Sequence, residues 1–144
     1  MQRIDIHQDF PIPVEKLFAY LGEHENLETI FHPTKIRRLS DGQGARNGVG
    51  SARQMRALGG PAFVETVTAY RENELIEYTI TSKGGPIKNH YGSMKFFDLG
   101  ARSRLAVLIR TLVNSTGRGI TKIDFPGNDD AERPGWDGIV EAGQ

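Results

Sequence analysis

The chain has 144 residues, enough for one domain with a sizeable core, so a single domain over residues 1–144 is expected, with no metal or disulfide needed for folding. Its 18 basic and 18 acidic side chains cancel and cysteine is absent, which excludes a strong field toward nucleic acid, disulfides, thiolate nucleophiles and zinc–cysteine sites. No apolar run reaches the ~18 residues of a membrane helix and the start, MQRIDIHQDF, is no signal peptide, so a cytoplasmic protein without membrane insertion is expected.

In chain order, RIDIHQDF places Ile4, Ile6 and Phe10 at even positions, the period of a half-buried strand. PIPVEKLFAYLGEHENLETIF follows, with Pro13 suited to a helix start and Val14, Leu17, Phe18 and Leu21 at helical spacing up to Gly22. A second short helix over 24–31 would bury Leu27, Ile30 and Phe31 before Pro33. Six strands are predicted next, over 35–40, 50–58, 62–71, 75–83, 88–98 and 102–113. The breaks DGQGARNG, GGP, REN, KGGP and LGAR are turn chemistry, so the strands read as an antiparallel meander. GQGARNGVG, residues 42–50, lacks the lysine–serine/threonine ending of a phosphate loop and reads as a plain loop. The segment after residue 113 is broken by glycine and proline, with a short helix over 129–142 carrying Trp136, Ile139 and Val140 as the best reading.

Strand alternation assigns faces. Ile76, Tyr78 and Ile80 share one face, as do His90, Gly92, Met94 and Phe96, and Phe63, Glu65, Val67 and Ala69. If these apolar sets face inward, Glu65, Tyr78 and His90 face inward too, joined by Arg53 when Met55 does. Buried charge must be paired and hydrogen-bonded, so four such residues in a solid core would be costly. The pattern favours a sheet whose inner side is partly hollow. Asn89 and Tyr91 fall on the outer face, and Arg37 and Arg38 read as a solvated basic spot.

The stretches FPIPVEKLFAYLGEHENLETIF, VGSARQMRALGGPAFVETVTAYRENELIEYTI and GGPIKNHYGSMKFF together resemble the SRPBCC, or START-like, superfamily in its polyketide cyclase/dehydrase-like bacterial branch. The resemblance runs through residues 2–113 and implies an α+β helix-grip (Bet v 1-like) fold: a curved antiparallel sheet, two short helices and a C-terminal helix. The broken tail over 114–144 departs from that pattern, so a short or irregular helix, an irregular lid or a second subunit would complete the cavity. The resemblance also implies that loops around Gly59–Ala62 and Gly84–Lys88 edge a cavity mouth.

Three functions follow. The leading one is binding of a small hydrophobic or amphipathic ligand, a lipid, polyketide or aromatic, against Phe63, Val67, Ile76, Tyr78, Ile80, Met94 and Phe96, oriented by Arg53, Glu65 or His90. The second is a polyketide cyclase, aromatase or dehydratase-like enzyme in which His90 or Glu65 moves a proton, with Arg53 or Tyr78 steadying an enolate. Against it, His90 also reads as a backbone-bonded strand histidine, and Glu65 with Arg53 as a cross-strand ion pair. The third is a regulatory or structural homodimer joined through the tail. His7, His24 and His32 make no metal-ligand spacing, and no cofactor is implied.

Overall fold

The computed structural model describes residues 2–56, 59–82, 87–113, 122–124 and 139–141. In chain order these form β1 (Gln2–Phe10), α1 (Val14–Gly22), a single 3-10 turn (His24–Asn26), α2 (Leu27–Ile30), β2 (Lys35–Ser40), β3 (Ala52–Arg56), β4 (Ala62–Arg71), β5 (Leu75–Ile80), β6 (Ile87–Asp98), β7 (Ser103–Val113), β8 (Lys122–Asp124) and β9 (Ile139–Glu141). Strands β1 to β7 make one sheet in the order β1-β7-β6-β5-β4-β3-β2, every pairing antiparallel. The run from β2 to β7 is the expected meander, closed at one edge by β1.

Two short helices cover one face of this sheet. The Pro13 carbonyl accepts from Lys16 N and Leu17 N, which starts α1 without a capping side chain. Val14, Leu17, Phe18 and Leu21 are buried as their spacing predicts, and Phe18 stands edge-on to Phe96 (4.9 Å between centroids) and Tyr70 (5.4 Å). Leu27 and Ile30 from α2 join the same core. Residues 42–50 connect β2 to β3 as a plain loop, tied by Gly42 N to Arg46 O and Gln43 N to Val49 O.

Two bulges decide which side chains face the helices. In β4 the register slips between Val67 and Ala69, pairing Ala69 with Glu77 and Tyr70 with Ile76. The expected inward position of Ala69 is therefore taken by Tyr70, which packs on the core, because one extra residue reverses the alternation. In β6 the pairing slips between Lys88 and Tyr91, with Asn89 at φ 51, a left-handed conformation that asparagine tolerates. His90, Gly92, Met94 and Phe96 keep the inner face, while Asn89 is exposed and the Tyr91 hydroxyl donates to Glu77 on the outer face.

At the tail, β9 pairs with β8, so Ile139–Glu141 is extended where a helix over 129–142 was expected. Trp136 and the rest of that segment lie outside the described residues, as do Gly84–Pro86 of the expected cavity mouth. Among the described residues no helix is long and apolar enough to cross a membrane.

Candidate functional site

Neighbouring strands bring the four inward polar residues together. Arg53 on β3 and Glu65 on β4 are directly opposed, and both are buried, at 2% and 6% exposure. Arg53 Nε donates to Glu65 Oε2 at 2.9 Å, and Nη2 lies 2.7 Å from the same oxygen. The other carboxylate oxygen, Oε1, faces His90 Nε2 at 3.8 Å. His90, 6% exposed, is held by its backbone, since Thr79 Oγ1 donates to the His90 carbonyl at 2.6 Å across the β6 bulge. Its Nδ1 is buried with no hydrogen-bond partner among the described residues.

Tyr78 forms the floor of the cluster. Its ring lies 5.0 Å from the Arg53 guanidinium carbon and 5.7 Å from the His90 ring. The strand opposite supplies Gly92 at its register position, and the absent Cβ leaves the space that the ring fills. Burial pushes the Tyr78 phenol well above its ordinary range, with the Glu65 charge adding to it and Arg53 opposing. Burial also holds the His90 imidazole below its ordinary value, opposed by Glu65 and reinforced by Arg53. His90 Nε2 thus faces the carboxylate beyond hydrogen-bond length, at 3.8 Å.

Another buried polar residue was missed from the sequence. His24, in the 3-10 turn, is 1% exposed, and its Nε2 lies 3.4 Å from the buried Ser51 Oγ. Ser51 and Arg53 are alternate residues and both are buried, so they share the inner face of the sheet. Ser51 Oγ donates its one hydrogen to Gly48 O at 2.7 Å, so Nε2–H of His24 is the donor to Oγ and Nδ1 carries a lone pair. That Nδ1 too is buried and has no partner among the described residues. Burial, with the charges of Arg53 and Arg38, pushes His24 down to about 3, against a pull upward from Glu23.

Because the folded chain refuses a proton that the unfolded chain accepts, His24 adds stability above the ordinary histidine range of about 6.5 and loses it as pH falls toward 3. Near pH 5 the loss is about 2 kcal/mol, and His24→Gln should flatten this part of the profile. Urea midpoints compared at neutral pH and near pH 5 will check it; equal slopes for both chains would contradict a neutral buried His24.

The apolar residues expected to line the site divide into two groups. Val67, Ile76, Met94 and Phe96 belong to the continuous core with α1, whereas Ile80 is half-buried opposite Glu65. Phe63 is partly buried against the core, two residues before Glu65 on the same face. Arg38 is not the solvated charge expected: only 11% of its side chain is exposed, and it is surrounded by Glu23, Glu25 and Asp41. Among the described residues no group of three His, Asp or Glu side chains is arranged to hold a metal ion.

The family model described as polyketide cyclase / dehydrase and lipid transport matches residues 1–142. No curated protein matches the chain. Among solved structures, a START superfamily protein from Mycobacterium smegmatis is similar at TM-score 0.67 and 14% identity, covering 83% of this chain and 82% of that one. The Zhui aromatase/cyclase from Streptomyces sp. R1128 is similar at 0.62 and 18% identity, over 80% of this chain and 70% of that one. The Aha1 dimer from Colwellia psychrerythraea gives 0.59 and 15%, over 81% of each chain. At these identities the likeness shows the fold, which is the curved antiparallel sheet and short helices of the START-like helix-grip class.

Proposed function

Because the chain belongs to the polyketide cyclase / dehydrase and lipid transport family, we propose that the inner face of its sheet receives a small hydrophobic or amphipathic molecule, with the polar end held by the Arg53–Glu65–His90–Tyr78 cluster. One observation carries this reading: His90 is more than nine-tenths buried beside a charged pair, yet its Nδ1 has no partner among the described residues. A buried acceptor left unpaired costs about 1–3 kcal/mol, and a bound polar group would remove that cost. The cluster also adjoins the partly buried Phe63 and Ile80, which offer apolar surface beside the polar anchor.

Native mass spectrometry followed by solvent extraction should release a copurified small apolar molecule, and the emptied chain should take up the neutral dye Nile red. A chain that carries no such mass and takes up no dye has no ligand site.

A second reading has its own support. Glu65 Oε1 faces His90 Nε2 at 3.8 Å, and that contact, shortened to a hydrogen bond when substrate binds, would orient the ring and leave Nδ1 as a proton acceptor, the relation of a general base to its orienting group. Proton removal next to the carbonyl of a polyketide-like ketone is the matching chemistry. In that case His90→Gln should lower turnover by about 10²- to 10⁴-fold without loss of fold, and unchanged turnover would reject catalysis by His90.

A further inference from the structure

A loop and a turn at one end of the sheet meet over a buried histidine. Residues 41–50, between β2 and β3, fold onto the 3-10 turn through one carboxylate. Glu23 Oε1 accepts from Arg38 Nη2 at 2.8 Å and from Arg46 Nη2 at 3.1 Å, and Oε2 accepts from Asn47 Nδ2 at 3.2 Å. Arg38 also donates to Asn47 Oδ1 and to the Arg46 carbonyl, which ties β2 to the same loop. Beneath these bonds His24 is 1% exposed, and Ser51, which its Nε2 meets, is fully buried and donates to the loop carbonyl of Gly48. The ring therefore joins the turn to the sheet and to the loop.

The arrangement accepts one imidazole proton and refuses a second. The proton on Nε2 is directed at Ser51, and one on Nδ1 would find no acceptor among the described residues. Every carboxylate on the elements around the ring is already engaged. Glu23 is held as described, and on the same turn Glu25 Oε1 accepts from Arg38 Nε at 3.2 Å. Asp41 in the loop accepts from Arg38 Nη1 at 3.3 Å, and Glu65 on β4 holds Arg53 of β3. Glu28 on α2 accepts from Ile36 N and faces Lys35. The charged residues of α1, Glu15 and Lys16, are exposed in its first turn, at the end away from His24. Burial and then the charges of Arg53, Arg38 and Arg46 oppose a charge on the ring, and Glu23 favours it.

We propose that the turn His24–Asn26 and the loop 41–50 form an acid-released clasp: neutral His24 closes it, and a proton on Nδ1 releases turn and loop together ahead of the rest of the sheet. The clasp can part by itself because its ties are polar, with Arg46, Glu25 and Asp41 exposed, whereas the flanking helices are held in the core by Leu17, Phe18, Leu21, Leu27 and Ile30. Once in water the imidazole takes its proton in the ordinary range, and that binding draws the clasp open. Ser51 and Arg53 are alternate residues on the inner face, so release lets water reach the sheet two residues from the Arg53–Glu65 pair. No ligand is needed for this release.

Amide hydrogen exchange of the intact chain, corrected for the intrinsic effect of pH on each amide, reads the opening. The Asn26, Leu27, Gln43, Gly48 and Ser51 amides bond within the turn and the loop. Between pH 7 and pH 5 they should lose about 25-fold in protection, the gain in open population when one ordinary histidine is freed. Low urea, which promotes global unfolding, should leave their exchange unchanged. Amides between β1 and β7 should be at least about tenfold better protected at both pH values and should respond to urea. Equal protection and an equal urea response in the two sets would mean that turn and loop open only with the whole fold, which overturns the clasp. Protection of the turn and loop that does not change with pH overturns it too, because opening then leaves His24 buried. In His24→Gln the pH dependence at these amides should vanish; its persistence would assign the effect to a carboxylate and overturn the role of His24. Where that variant does not fold, long-range proton–nitrogen NMR spectra of the unmutated protein decide: a bare Nδ1 on His24 at pH 7 supports the clasp, and a protonated one overturns it.

Discussion

Glu65→Leu should destabilise the fold by about 3–5 kcal/mol, because it leaves the Arg53 guanidinium buried without its counter-charge. Arg53 is 2% exposed and directs Nε and Nη2 to Glu65, so water cannot replace the lost carboxylate without opening the sheet. The double variant Arg53→Met/Glu65→Leu removes both charges and keeps most of the volume, and it should recover the greater part of the loss. Urea unfolding of the two single variants and the double gives the coupling between the sites. If Glu65→Leu unfolds at the midpoint of the unmutated chain, the pair is hydrated in solution, and the argument for a desolvated anchor at His90 fails as well. A stable double variant that no longer takes up Nile red would separate the part of this pair that serves the fold from the part that serves the site.

The sheet was legible because its signals are local. The period of two in RIDIHQDF and in HYGSMKFF, interrupted by glycine, proline, asparagine and aspartate, is a property of neighbouring residues. It placed Arg53, Glu65, Tyr78 and His90 on one face, and the register then brought them into contact. The bulge after Val67 was not legible, since nothing in ETVTAYR distinguishes a regular strand from one with an extra residue, and Ala69 was given the place of Tyr70. His24 was missed for a different reason. Its partner Ser51 is 27 residues away, and a histidine in EHEN, between acidic residues, reads as surface until the turn is seen folded against β3. Arg38 failed in the same way, because its acidic neighbours Glu23 and Glu25 come from the turn ahead of β2.

Gly92→Ala should cost about 3 kcal/mol, although alanine is ordinarily the better residue in a strand. The reason is its position opposite Tyr78. A Cβ at residue 92 would overlap Tyr78 Cε2 and Cζ and come within 2.8 Å of the hydroxyl, with the guanidinium of Arg53 5.0 Å from the ring centre. A ring that is 3% exposed has no free volume to swing into, so the strain falls on the packing between β5 and β6. Tyr78→Ala removes the obstruction, and in that background the ordinary preference returns, so Gly92→Ala should then stabilise by about 0.5 kcal/mol. The reversal of sign between the two backgrounds is the measurement, read from four urea curves in a double-mutant cycle. A substitution that costs the same in both would mean that the tyrosine does not lie over Gly92. The floor of the polar cluster would then be elsewhere, and the arrangement of Arg53 and His90 around that ring would have to be redrawn.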